Sequence, residues 1–266
     1  MITDVQNALD TILGNAANLR HANGAGRIFE LFVMTGVAEK LHGRGHDVWL
    51  QRSDGSRMAP GDPTLDFIQR GGGPAGIPPA SSGASNASSI GFQKLGSSQI
   101  WEIWNGVQFA GRSGATHEFD LAIVPYQVGY ELRLIGGKPF GRPRVAVECK
   151  DVAASGSIDE MRALVARLYD VTILQGHGFH LRLGSSPQAI YPANFGGTPY
   201  YYARDTYRRE NLHSFNVFAR RTGFAKGAAA MTGYHCIHPH GGVTAGSAEA
   251  DTLFGDIADW IDANLP

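Results

Sequence analysis

The spacing of apolar residues divides the chain into segments of different period. In "TDVQNALDTIL", Val5, Leu9, Ile12 and Leu13 fall on one helical face and Thr3 and Gln6 stand at capping-box spacing, so a first helix is expected over residues 3–13. A second is expected from about Gly26, where Ile28, Phe29, Phe32, Val33, Val37 and Leu41 form a broad stripe that stops at Gly43 and Gly45. Further on, "SQIWEIWNGVQFAGRSGATHEFDLAIVP" reads as two strands rich in β-branched and aromatic residues around a glycine-bearing hairpin turn. "RVAVECK" is a third strand, and "SIDEMRALVARLYDVTIL" an amphipathic helix with Ser157 as N-cap and Glu160 three residues on. "SFNVFARRTGF" then reads as strand, "AKGAAAMTG" as a short helix and "YHCIHP" as a last strand. "EADTLFGDIADWIDANL" closes as a helix through Leu253, Phe254, Ile257, Trp260, Ile261 and Leu265.

Two stretches lack any period. Residues 53–98 include "GGGPAGIPPASSGASNASS", small and turn-forming residues that cannot bury enough apolar surface to offset their ordering entropy, and they are expected to form an insertion. Residues 175–213 are expected to form a second. What remains predicts an α/β fold, a mixed β-sheet flanked by helices on both faces. A single domain over 1–266 is expected, with N-terminal helices at 3–43, a core at 99–174 and a strand-helix-strand-helix unit at 214–266.

Composition narrows the partners. The chain of 266 residues has 43% hydrophobic and 18% charged residues and a net charge of −1, which excludes a histone-like binder and leaves any polyanion contact to a local patch. Cys149 and Cys236 make no disulfide framework, the N-terminal residues carry no signal pattern, and no apolar run approaches the ~20 residues that span a bilayer. A soluble protein of a reducing cytoplasm, without a membrane partner, is expected.

Charge placement on the strands raises a chemical question. Side chains alternate along a strand, so Glu148 and Lys150 share one face of "RVAVECK" while Cys149 points to the other. Asp120 in "HEFDLAIV" would join them if the strands pair as neighbours, with Glu118 on the same face as its nearest substitute. Two adjacent carboxylates repel unless a cation lies between them, and a hard divalent ion with oxygen ligands is the usual solution. Taken alone, Glu148 and Lys150 are accounted for equally well as a strand-end ion pair.

Glu30 on its helix, Asp120, and Glu148 and Lys150 as E-x-K resemble the PD-(D/E)xK nucleases, the restriction-endonuclease-like superfamily. "GRIFE" places a glycine four residues before the helical glutamate, and "FARRTGFAKGAAAMTGYHCI" is similar to the tail of Mrr-like restriction enzymes. The resemblance covers about residues 24–45, 100–174 and 214–240, with Phe119 where the family name has proline. It implies an αβββαβ core and metal-assisted hydrolysis of a phosphodiester. Asp120, Glu148 and the backbone carbonyl of Cys149 would hold Mg²⁺, for which Mn²⁺ could substitute, Glu30 would act through water, and Lys150 would orient the nucleophile.

Substrate contacts are expected from Arg204, Arg208, Arg209, Arg220, Arg221 and Lys226, which interleave with Tyr200, Tyr201, Tyr202 and Tyr207, and from Arg112 and Arg144 near the proposed metal. A solvated basic loop packed through its tyrosines fits the same stretch. The histidines of "YHCIHPH" lack a second zinc-spaced ligand pair and read as a strand-end cluster. The expectation is a Mg²⁺-dependent deoxyribonuclease of a prokaryotic restriction or anti-phage defence system, as a homodimer or part of a larger complex; the pattern does not separate DNA from RNA. The alternatives are a non-cleaving nucleic-acid- or partner-binding module of the same fold, and an effector activated by a partner or small nucleotide.

Overall fold

The computed structural model describes residues 1–20, 24–52, 54–62, 65–69, 87–135, 138–139, 141–172 and 214–266. The first helix, α1 (Ile2–Leu13), buries Val5, Leu9, Ile12 and Leu13 as their spacing predicts, and ends on Gly14 in the left-handed region. The second, α2 (Ala25–Gly43), is apolar well beyond one stripe: every residue from Phe29 to Ala38 is buried. A helix apolar on all sides belongs inside a layer.

The described strands are β1 (Asn18–Arg20), β2 (Asp47–Arg52), β3 (Asp66–Ile68), β4 (Ala87–Gln93), β5 (Ile100–Ala110), β6 (Thr116–Pro125), β7 (Val145–Lys150), β8 (Phe215–Arg220) and β9 (Ile237–His240). They form one mixed sheet in the order β1-β3-β4-β5-β6-β7-β8-β9, with β2 also paired to β4. From β4 to β7 the neighbours run antiparallel; β7, β8 and β9 run parallel. Parallel neighbours need crossovers, and α4 (Ile158–Asp170) lies between β7 and β8 and α5 (Lys226–Tyr234) between β8 and β9. The closing helix, α6 (Ala248–Asn264), returns to the α2 side.

Two apolar clusters separate the layers. Residues of α1, α2 and α6 meet Ile103, Leu121, Ile123, Val145, Val147 and Cys149 on one side of the sheet. On the other, Met161, Leu164 and Leu168 of α4 and Ala228 of α5 meet Trp104, Ala122, Ala146 and Phe218. The expected mixed sheet with helices on both faces is the observed architecture.

The sequence pattern missed β1, β2, β3, β4 and a helix, α3 (Tyr126–Ile135). Both β3 and β4 fall inside the stretch 53–98 expected as an insertion, and β4 stands between β2 and β5 in the sheet. One of the small residues that disguise β4, Gly91, has a packing reason. A Cβ on Gly91 would run into the Trp49 indole of β2, so a bulky strand-former is excluded there. Gly91→Ala is expected to cost roughly 1–3 kcal/mol by overpacking, despite alanine's better strand propensity. Urea denaturation checks this, with an unchanged midpoint counting against the packing account.

Candidate active site at the fork between two strands

The β6–β7 ladder pairs Ile123 with Val145, Ala122 with Ala146 and Leu121 with Val147, and its named pairs stop there. Continuing that register by one residue sets Asp120 opposite Glu148, two like charges at directly facing positions. Here the Asp120 carboxylate stands in for the backbone ladder, its Oδ2 accepting a 2.7 Å hydrogen bond from the Cys149 N–H. The strands therefore open into a fork lined by two carboxylates.

A break in β5 shapes the same point. The β5–β6 ladder keeps constant register from Trp101↔Pro125 to Ala110↔Thr116 and lacks a pair only at Gly106 and Asp120. Gly106 takes φ 58°, a conformation glycine adopts without a Cβ penalty. Across this break the odd-numbered residues change layers. Ile103, Leu121 and Ile123 pack towards α2, whereas Val107, Phe109 and Phe119 pack towards α4. Asp120 sits at the pivot, where groups from both helical layers can act on it.

From α2 comes Glu30, 8% exposed and paired at 3.2 Å with Arg27 one turn earlier. Burial, and then repulsion by Asp120, raise its carboxyl to about 7 against an ordinary 4.5, the Arg27 contact offsetting only part. Burial and the facing Glu148 likewise raise Asp120 to about 6. Glu148 is 3% exposed and carries two cations: Lys150 Nζ lies 2.6 Å from Oε1 and an Arg167 Nη 2.7 Å from Oε2. Burial opposes the charge on Lys150, but Glu148 and Asp120 together outweigh it and lift the ammonium above its ordinary range. Burial, reinforced by the surrounding carboxylates, keeps the Cys149 thiol protonated, which leaves its backbone as its polar contribution.

Glu30, Asp120, Glu148 and Lys150 thus form one electrostatic cluster. Arg167 belongs to it as well, and sequence reasoning passed over it. The available signal was an arginine three residues after buried Leu164, beside the apolar stripe of α4. β7 ends at Lys150, and just beyond it the Asp151 side chain, 3% exposed, holds Arg221 at 2.9 Å.

The donors fit a hard divalent cation in kind. Glu148 Oε2 is a buried carboxylate oxygen without a hydrogen bond, since the close Arg167 contact is ionic but poorly aligned, and it faces a second carboxylate. As placed, however, no three His, Cys, Asp or Glu side chains converge as metal ligands among the described residues, Glu148 being turned onto its two cations.

The expected nucleic-acid contacts separate into distinct groups. Arg220 is fully buried: it binds Glu160 at 2.6 Å and the Ala154 carbonyl at 2.6 Å, so it braces the β7–α4 loop from within and is no surface contact. Arg112, 8% exposed, donates to the carbonyls of Tyr169 and Asp170 and stacks on the Tyr169 ring, tying the β5–β6 hairpin to the end of α4. Arg144 precedes β7, at the opposite end from Glu148 and Lys150. Arg221 and Lys226 are exposed beyond the end of β8. Arg204, Arg208 and Arg209, with the tyrosines among them, lie outside the described residues.

No protein-family model, curated protein or solved structure matches the chain. Among the described residues no helix is long and apolar enough to cross a membrane.

Between pH 4.5 and about 7 the folded protein retains on Glu30 a proton that the unfolded chain has released, so stability falls as pH rises through that window. Glu30→Gln should remove this fall and stabilise the protein at pH 8 by roughly 2–3 kcal/mol, with no comparable gain at pH 4. Thermal unfolding at both pH values tests it; parallel pH profiles for the two proteins would contradict the assignment. Arg220→Met, which removes the buried guanidinium from Glu160 and leaves the Ala154 carbonyl without its donor, should cost roughly 1–3 kcal/mol while leaving affinity for nucleic acid unchanged in the folded fraction. Paired unfolding and DNA-titration measurements check that separation.

Proposed function

We propose that the chain is a divalent-cation-dependent nuclease that hydrolyses phosphodiester bonds of DNA at the mouth of the β6–β7 fork. The carrying observation is the opposition of Asp120 and Glu148 across that fork, with Lys150 bound to Glu148 and Glu30 close enough to repel Asp120. The resemblance of these four residues, in order, to the PD-(D/E)xK superfamily supports the reading, as do α2, β5, β6, β7, α4 and β8, which follow the implied αβββαβ order with β2, β3, β4 and α3 as additions to it. A role in prokaryotic restriction or anti-phage defence rests on the resemblance alone, and two-strand scission with one site per chain would call for a homodimer.

A divalent cation such as Mg²⁺, held by Asp120, Glu148 and the Cys149 carbonyl, would supply Lewis acidity to the phosphoryl group. The remaining work falls to the chain. Lys150 Nζ, drawn from Glu148, would donate to a non-bridging phosphate oxygen and balance the charge that grows there. The Glu30 carboxylate, titrating at about 7, is suited to accept the proton of an attacking water near neutral pH. Arg221, tethered to Asp151 and with its N–H on the Lys150 carbonyl, would hold the backbone at the rim.

The double ion pairing of Glu148 favours a second reading, a nucleic-acid-binding module that does not cut, because the cluster is largely neutralised by its own cations. Supercoiled plasmid incubated with the protein in Mg²⁺ or EDTA distinguishes the two. Cleavage is expected in Mg²⁺ only, falling about 100-fold or more in Lys150→Ala and Asp120→Asn. Undiminished cutting by Lys150→Ala would overturn the nuclease reading. A salt-dependent shift of DNA that needs no metal and yields no products would establish the binding module instead.

A further inference from the structure

Arg167 spans the fork from above. Its guanidinium reaches β7 through the 2.7 Å contact with Glu148 Oε2 and β6 through a 3.0 Å hydrogen bond to the Glu118 carbonyl. These contacts leave it incompletely satisfied: its Nε is buried without a hydrogen-bond partner among the described residues, and so is the Glu148 oxygen it approaches. A guanidinium is a planar fork suited to bidentate oxyanions. Here that geometry goes unused, although a misaligned buried pair is a costly way merely to fasten a helix to a sheet.

We propose that Arg167 is a phosphate-binding residue of this site, parked on Glu148 until a phosphodiester oxygen takes that carboxylate's place. The inference rests on the nucleic-acid reading of the fork and adds to it the group that grips the backbone beside the reacting bond. Charge accounting supports it. Lys150 and Arg167 together balance Asp120 and Glu148; once a divalent cation engages the carboxylates, two positive charges are in excess, and an arriving phosphodiester neutralises one of them. A purely structural Arg167 would remain where it is.

The test is the affinity for a short DNA duplex in EDTA, read by fluorescence anisotropy across a salt series. Glu148→Gln, which frees Arg167 and Lys150 from their anion, should bind more tightly than the unaltered protein, by about tenfold. Adding Arg167→Gln to that background, where no buried carboxylate is stranded, should weaken binding about tenfold and make the salt slope shallower by about one. Arg167→Lys in the same background should restore the slope but not the full affinity, because an ammonium cannot make the bidentate contact. Equal affinities and slopes for Glu148→Gln with and without Arg167→Gln would overturn the proposal, as would failure of every variant to bind the duplex. Mg²⁺-dependent cleavage with binding indifferent to Arg167 would retire this inference and leave the nuclease reading standing. Arg167-dependent binding without any cleavage would do the reverse.

Discussion

The facing of Asp120 and Glu148 at the end of the β6–β7 ladder is the constraint to which the surrounding structure answers. Two carboxylates at opposed positions of an antiparallel pair repel, and both are held away from bulk water. Three arrangements make the pairing tolerable. Asp120 replaces the next ladder bond by accepting the Cys149 N–H, Lys150 and Arg167 converge on Glu148, and the protonation equilibria of Asp120 and Glu30 shift towards neutrality. Without them the strands would have to close the fork or expel a charge.

The helical layers exist in a form that serves this point. The burial of α2 along its middle leaves Glu30 little freedom to swing into solvent, so its carboxylate stays where Asp120 repels it. On the other face, α4 begins with a capping box in which Ser157 and Glu160 exchange hydrogen bonds, and Glu160 is bound in turn by buried Arg220. Those contacts fix the start of the helix relative to β7 and β8. Arg112 and the Ser113 and His117 contacts to Asp170 fix its other end to the β5–β6 hairpin. A helix pinned at both ends delivers Arg167 to the fork with little latitude, which suits a residue that must discriminate one oxyanion from another.

Such a site carries a cost that the rest of the domain offsets. Raised carboxyl pKa values, a misaligned ion pair and a broken strand pairing each subtract from stability, while the two apolar clusters supply it through tightly packed layers. The near-zero net charge conceals the arrangement, because paired cations and anions cancel in the sum while remaining concentrated at one end of the central strands.

Much of the core was legible in the sequence, because the elements that build it are long and strongly periodic. Alternating apolar residues mark β5, β6 and β7, the Ser157–Glu160 spacing marks the start of α4, and the order of Glu30, Asp120, Glu148 and Lys150 follows from reading along these elements. The small residues of β4 hide a strand, and at Gly91 the reason for being small is the Trp49 ring, which lies elsewhere in the chain. Arginines were the least legible. One in "FARR" reads as surface charge, yet Arg220 is the most deeply buried cation among the described residues, and Arg167 shows only as a polar residue beside an apolar stripe. Periodicity determines which face of an element a side chain occupies. Whether that face meets solvent, a carboxylate or a carbonyl depends on partners tens of residues away, and only the packing of the layers decides it.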